Sequence, residues 1–369
     1  MKATIVRTIG AGFVTEDVTL ATPIDREVVV DVKASGLCHT DLTYSRNDMG
    51  IPLPMVLGHE VAGVVSAVGP GVTEFSVGDH VVGCLVQSCG QCQACLTGRT
   101  FQCEHPEATL RAPGEAPRMT TAGEDGSSEG VEQAFGLGGF AQQALIHENQ
   151  LVKVSESIPF AQAALLGCGV VTGAGAVINT SNTQAGDSVV IIGAGGVGLN
   201  AINGAIVAGA TTIIAVDVAD DKLEKARRFG ATHTINSRTV DAVAEVLAIT
   251  GRGADAAFDF VGIPAVTQSG LDMIRPGGGL YLIGIIDPTA MLSVPTIGLI
   301  GSQKRIQGVY MGSTTPKHDI PLYADLYLQG RFELDELLSR EIALDGVNEG
   351  YEALHEADVT RVVITSGLS

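Results

Sequence analysis

From residue 185 onward the chain alternates apolar β-branched runs with helical stretches: DSVVIIG, VGLNAINGAIVAGA, TTIIAVD and ADDKLEKARRFG follow as strand, helix, strand and helix. The strand runs are continuously apolar rather than alternating, as strands buried on both faces are, so an α/β fold with a doubly wound parallel sheet is predicted. THTIN, AAFDFVG, GLYLIGI and RIQGVYM supply further strands. The first 110 residues read differently. REVVVDVKASG, EVAGVVSAVGPG and GDHVVGCLV are β-branched runs bounded by Gly, Pro or Asp, and they predict a β-rich domain. From Cys103 to about Gly138 the polar stretch APGEAPRMTTAGEDGSSEG has little periodicity and predicts a surface loop or lid. The end of the chain predicts an amphipathic helix in HDIPLYADLYLQG, a second around VNEGYEALHE and a final strand at RVVITSG. Residues 161–178 are apolar over nearly the length of a bilayer, but glycine, cysteine and threonine interrupt them, so a buried helix and turn are expected.

Composition narrows the classes. A chain of 369 residues starts from roughly two domains, and 45% hydrophobic with 17% charged residues is enough to bury sizeable cores. Lys and Arg number 22 against 41 Asp and Glu, a net charge of −19, which disfavours nucleic acid and anionic membranes as partners and fits a small-molecule ligand. The first twenty residues carry charges and no continuous apolar core, so no secretory signal is read there and a reducing cytoplasm is expected. That favours metal binding over disulfides for the seven cysteines.

Three groups of residues carry chemistry. Gly193, Gly195 and Gly198 form GAGGVG, with Gly196 and Val197 inside it, directly after the strand SVVII and at the start of a helical pattern. The glycines permit a tight turn, approach of a pyrophosphate and close helix–strand packing, while the helix N-terminus offers N–H groups to the anion. Asp217 follows at the end of TTIIAVD, where an acid can hold the adenosine ribose hydroxyls and repel a 2′-phosphate, favouring NAD over NADP. Lys222 is within reach of the same ribose, and reads equally as a solvated helix charge. Cys89, Cys92, Cys95 and Cys103 follow CxxCxxCx7C, a spacing at which four thiolates can close on one structural Zn²⁺; two disulfides or unrelated thiols are the alternatives. Cys38, His59 and Cys168 are scattered, and each alone reads as a core thiol or a satisfied histidine. Together they offer the two sulfurs and one imidazole of a catalytic zinc, with Asp41 as acceptor for the imidazole and Glu60 as an alternate ligand.

GLCHTD, GHEVAGVVSAVGPGVTEFSVGDHV, CGQCQACLTG, LGCGVVTGAGA, GAGGVG and AVD occur in an order and spacing that resembles the zinc-dependent medium-chain alcohol dehydrogenases over essentially the whole chain. The resemblance implies a GroES-like catalytic domain from residues 1–169 and 311–369 around a Rossmann NAD-binding domain of residues 170–310. It implies two zinc ions per chain, with Cys38, His59 and Cys168 on the catalytic one and the cysteine quartet on the other. It assigns Thr40 to the substrate proton, Val197 and Thr172 to the nicotinamide, and Arg361 to the pyrophosphate. His39 is expected at the pyrophosphate or in the proton relay, because Thr43 stands where a relay histidine is usual in the family. Leu85 and Phe140 are expected as apolar walls, and Cys84 as a pocket-wall or core thiol. Within the family the chain looks most like aryl-alcohol, nicotinoprotein and thiol-dependent formaldehyde dehydrogenases. The expected reaction is oxidation of a primary, aryl or allylic alcohol to its aldehyde with NAD, and its reverse. An S-hydroxymethyl-thiol dehydrogenase, with Arg111 or Arg118 on a thiol cofactor's carboxylate, is one alternative; a catalytically idle NAD-binding or structural protein is another. A homodimer or homotetramer is expected, through the edge left by the last strands of the Rossmann sheet.

Overall fold

The computed structural model describes the chain except for residues 124–125, 285–288, 357 and 369. Residues 124–125 of the expected loop and Ile285 of GLYLIGI therefore lie outside the described residues. The chain divides into two compact units, one of Met1–Cys168 with Thr315–Ser369 and one of Gly169–Thr314.

The second unit is built on six parallel strands in the order His233–Asn236, Thr212–Asp217, Ser188–Ile192, Ala254–Asp259, Ile274–Leu282 and Arg305–Gly308. Val190, Ile192, Ile214, Val216, Ala257 and Leu280 form its core, which is why these strands read as unbroken apolar runs. Strand order reverses at Ser188–Ile192, and the crevice beyond its carboxyl end is where open α/β sheets bind ligands. Gly193 turns the chain there with φ 94, and helix Gly196–Ala208 follows. A Cβ on Gly198 would overlap the Gly193 carbonyl, so helix and turn could not approach this closely with any other residue.

The first unit carries a seven-stranded sheet in the order Leu151–Lys153, His80–Gly83, Glu60–Val68, Glu27–Gly36, Arg361–Ser366 and Leu338–Ala343, with Gln143–His147 also on Glu27–Gly36. The C-terminal strand pairs Val363 with Gly36 and Ile364 with Ser35, so one sheet unites both ends of the chain. A small closed barrel is formed by Lys2–Val6, Val14–Leu20, Met119–Ala122, Ser128–Gln133 and Met55–Val56.

Two expectations are corrected here. The polar stretch between Cys103 and Gly138 is not a structureless loop: Met119–Ala122 and Ser128–Gln133 are an antiparallel pair in the barrel wall. Their buried positions, Met119, Thr121, Val131 and Gln133, include two polar residues, which hides the alternation that marks a half-buried strand. Strand Leu338–Ala343 is an addition, its middle residues Ser339, Arg340 and Glu341 being exposed. The apolar stretch forms one helical run, Phe160–Thr180, whose most apolar window is 83% buried; it belongs to the protein core. Two π-helical turns, Leu166–Val170 and Ala176–Thr180, interrupt it.

Candidate active site

Cys38 and His59 meet because of strand register. Glu27–Gly36 and Glu60–Val68 pair antiparallel with Gly36 opposite Glu60, so the residues just beyond these strand ends face one another. Cys38 then begins helix His39–Arg46, and Cys168 enters from the π turn Leu166–Val170. Donor atoms of Cys38, His59, Glu60 and Cys168 all lie within 4.8 Å of one another. His59 Nε2 is 3.2 Å from Cys168 Sγ, while Nδ1 donates to Asp41 Oδ1 at 3.0 Å. Gly58 N–H donates to the same Asp41 oxygen at 3.1 Å, fixing the carboxylate that orients the ring. The ring lone pair is thus held toward the two sulfurs.

Charge in this cluster is unbalanced without a cation. His59, Asp41 and Glu60 are fully buried, and Arg361, 5% exposed, pairs with Glu60 Oε1. Arg361 was expected at a cofactor pyrophosphate; in this structure its guanidinium is turned onto Glu60, because a buried carboxylate needs a counter-charge. Asp41 Oδ2, Glu60 Oε2 and Arg361 Nε have no hydrogen-bond partner. The Cys168 thiol donates to Cys38, lowering the Cys38 pKa well below that of an ordinary thiol and raising that of Cys168. Burial lifts the Glu60 carboxyl above the usual range although Arg361 opposes it. Two sulfurs, an imidazole and an adjacent carboxylate are the donor set of a borderline-soft dication, and Zn²⁺ fits: Cys38, His59 and Cys168 would hold it, with Glu60 in reach. Gly36 has no side chain for a direct reason: a Cβ there would overlap the Glu60 carboxylate.

Cys89, Cys92, Cys95 and Cys103 form a second cluster with sulfurs within 4.8 Å of one another. The Cys89–Cys95 and Cys92–Cys103 sulfur separations are 4.0 and 3.9 Å, and none of the seven cysteines is in a disulfide. Four thiolates about 2.3 Å from a tetrahedral zinc stand about 3.8 Å apart, so the quartet fits one closed zinc site. The amides of Cys92 and His105 donate to the Cys89 and Cys103 sulfurs at 3.3 Å. Cys84 is buried, and burial pushes its thiol up to about 12; it is a core residue.

Phe140, expected as a pocket wall, is fully buried and packs edge-on against Phe13 at 5.9 Å. It is a core residue behind the site. Leu85 is 7% exposed and follows the strand His80–Gly83. An aromatic ring that does meet the metal cluster is that of Phe135, whose centroid is 5.6 Å from the His59 ring at 77°. Tyr44 packs edge-on against Phe135 at 4.9 Å. Neither was expected from sequence, because Phe135 sits amid glycines with no periodic signal. Thr40 and His39 are exposed at the start of helix His39–Arg46, and the Thr43 hydroxyl is tied to the His39 carbonyl at 2.9 Å.

Arg111 and Arg118, considered for a thiol cofactor, are committed elsewhere. Arg111 Nη2 and Arg118 Nε hold the two oxygens of buried Glu27 at 2.6 and 2.8 Å. Arg118 is itself buried and also donates to the Thr109 carbonyl at 2.7 Å.

In the second unit, Asp217 Oδ2 accepts the Ala194 amide at 2.8 Å, so the acid is anchored to the glycine turn. A Cβ on Gly195 would meet nothing within 4 Å, which leaves open space over the helix N-terminus where a diphosphate fits. Gly196 and Val197 are half-buried in the first turn of that helix, and Lys222 is half-buried on helix Asp220–Arg228. The Thr172 hydroxyl faces Met311 Sδ at 3.6 Å.

Comparison with known proteins agrees with this chemistry. Residues 24–156 match the family model of the alcohol dehydrogenase GroES-like domain, and residues 196–329 match that of the zinc-binding dehydrogenases. The chain is 37% identical to an NDMA-dependent alcohol dehydrogenase of Amycolatopsis methanolica over 98% of both chains. It is 36% identical to an S-(hydroxymethyl)glutathione dehydrogenase of Paracoccus denitrificans, covering 94% of this chain and 95% of the relative. Among solved structures, benzyl alcohol dehydrogenase from Acinetobacter calcoaceticus superimposes with a TM-score of 0.91 at 36% identity over 99% of both chains.

Proposed function

Because this chain belongs to the zinc-dependent medium-chain alcohol dehydrogenases, we propose that it oxidises an aryl or allylic primary alcohol to the aldehyde with NAD, and catalyses the reverse. When bound, zinc would supply Lewis acidity at the reacting hydroxyl and NAD a hydride acceptor. The protein's own part is to position and to exclude. Cys38, His59 and Cys168 would hold the metal, Asp41 fixes the imidazole, and the Thr40 hydroxyl relays the substrate proton, taking it on its oxygen while giving up its own to the solvent at the exposed helix start. The observation that carries the substrate class is the ring of Phe135 against His59, backed by Tyr44, an aromatic surface that suits a flat, unsaturated substituent better than a hydrated one. Asp217, anchored at the glycine turn, favours NAD over NADP by charge repulsion of the 2′-phosphate.

A homo-oligomer belongs to the same reading. Among the described residues strand Arg305–Gly308 is the edge of the parallel sheet, and Ile297 and Ile300, in the helix Thr296–Ser302 that precedes it in sequence, are 76% and 72% exposed. The seven free cysteines support a reducing compartment such as the cytoplasm.

The decisive measurement is steady-state absorbance at 340 nm with NAD and benzyl alcohol, cinnamyl alcohol, ethanol, or formaldehyde with a low-molecular-weight thiol. Higher kcat/KM for the aryl and allylic alcohols than for ethanol is expected. Turnover that requires the thiol would replace this reading with the S-hydroxymethyl-thiol one.

A further inference from the structure

We infer that Gln150 is a positioning residue that sets the aromatic wall beside His59, and through it the shape of alcohol the site accepts. This rests on the reading that the Cys38, His59 and Cys168 cluster is the reacting site. The starting observation is backbone strain. Phe135 has φ 57 and ψ 15, a left-handed conformation that bulky side chains rarely adopt. Such a residue persists only where its surroundings over-determine it, and strain of this kind gathers at ligand clamps.

The surroundings here are specific. Gln150 is fully buried, and its Nε2 donates to two carbonyls, that of Phe135 at 2.9 Å and that of Cys84 at 3.2 Å. The Cys84 amide donates back to the Gln150 carbonyl at 2.9 Å. One side chain therefore ties the Phe135 turn to the chain just before Leu85, so both flanks are held at a set spacing. On the far side of the turn, Gln133 Nε2 donates to the Leu137 carbonyl at 2.7 Å. Gly136, with φ 72, presses on the same amide: a Cβ there would stand 2.6 Å from Gln150 Oε1. A side chain at position 136 would have to displace the Gln150 amide.

An apolar residue at position 150 would fill the volume but leave both carbonyls without this donor. The cost of an unpaired buried carbonyl favours relaxation of the turn, and Phe135 then leaves the left-handed region. Its ring would leave the edge of His59. A flat aryl substituent loses a contact by this, whereas ethanol, too short to reach the wall, loses little.

The test is Gln150→Met, which keeps the length and removes both donors. We expect two zinc ions per chain as in the wild type, kcat/KM for ethanol within about threefold, and KM for benzyl alcohol raised about tenfold with little change in kcat. Hydrogen exchange should quicken in residues 134–138. Phe135→Ala should flatten the ranking of ethanol, butanol, benzyl alcohol and cinnamyl alcohol, and adding Gln150→Met should change the ranking no further. Uniform scaling of kcat/KM across the four alcohols, or unchanged exchange at 134–138, overturns the inference. A wild-type enzyme with no aryl preference instead overturns the substrate reading, and Gln150 is then judged on the ranking of the other alcohols and on exchange.

Discussion

The Asp217 carboxylate accepts the Ala194 amide at 2.8 Å, joining the end of strand Thr212–Asp217 to the turn after Ser188–Ile192. Its other oxygen takes the amides of Val218 and Ala219 at 2.7 and 3.1 Å. Three backbone donors fix a negative charge at the carboxyl edge of the sheet, beside the helix N-terminus that suits a diphosphate. Asp217→Ala removes that charge and loosens the turn together. The expected result is a loss of about tenfold or more in kcat/KM for NAD and a narrower ratio of NAD to NADP use. A ratio unchanged from the wild type would show that discrimination lies elsewhere.

Thr40 and Thr43 are one turn apart but differ in what their hydroxyls can do. Thr43 is already engaged, donating its proton to the His39 carbonyl at 2.9 Å, so its hydroxyl is not free to pass a proton on. Thr40 lies exposed at the helix start, two residues after Cys38. Thr40→Ala should therefore slow hydride transfer in single-turnover experiments by about 100-fold or more, while Thr43→Ala costs less than about threefold. Equal losses would refute the assignment of the substrate proton to Thr40.

The cysteine quartet staples a segment with few apolar residues of its own, so metal binding there contributes to local folding. Cys95→Ser leaves three sulfurs for a site that four close. Zinc content should fall from two to one per chain, and Tm by about 10 °C, a few kcal/mol in a unit of this size. Zinc retained at two per chain in this variant would remove the closed-site assignment.

What was legible in the sequence follows from how local each signal is. The GAGGVG turn and the cysteine quartet are short-range patterns whose geometry forces residue type and spacing; the structure places the first between strand Ser188–Ile192 and helix Gly196–Ala208 and brings the four sulfurs of the second within 4.8 Å of one another. The Cys38 and His59 pairing depends on antiparallel register, Gly36 opposite Glu60, which no local window encodes. The Glu27 pairs with Arg111 and Arg118 join residues 84 and 91 positions apart, so neither arginine announced that it was spoken for. Phe140 and Phe135 show the same limit. Both are aromatic residues among glycines; a strained turn, visible only in the backbone, turns one toward His59 and leaves the other in the core.

His147 is a buried histidine outside both metal clusters, and it gives the fold a pH dependence of definite sign. Its Nδ1 accepts the Asn149 amide at 3.1 Å, a bond that protonation at that nitrogen would break. Burial, followed by the charges of Arg26 and Arg118, pushes its pKa down to about 4, although Glu148 pulls the other way. The unfolded chain takes up this proton near pH 6.5 and the folded one only near pH 4. The stabilising contribution is therefore complete above about pH 6.5, declines as pH falls toward 4, and amounts to at most about 3 kcal/mol. The carboxylates of Glu27 and Glu148, both held below their usual range, act in the same direction but only at still lower pH, whereas Glu60 and Glu132, lifted by burial, act in the opposite direction, so the histidine's part is read as the difference between the wild type and a variant that cannot titrate at this position. His147→Gln keeps an acceptor for the Asn149 amide and cannot titrate. Denaturant unfolding with zinc in excess should find the wild type losing about 2 kcal/mol more than the variant between pH 7.5 and pH 5. Parallel losses in the two proteins would mean that His147 is not the group that titrates.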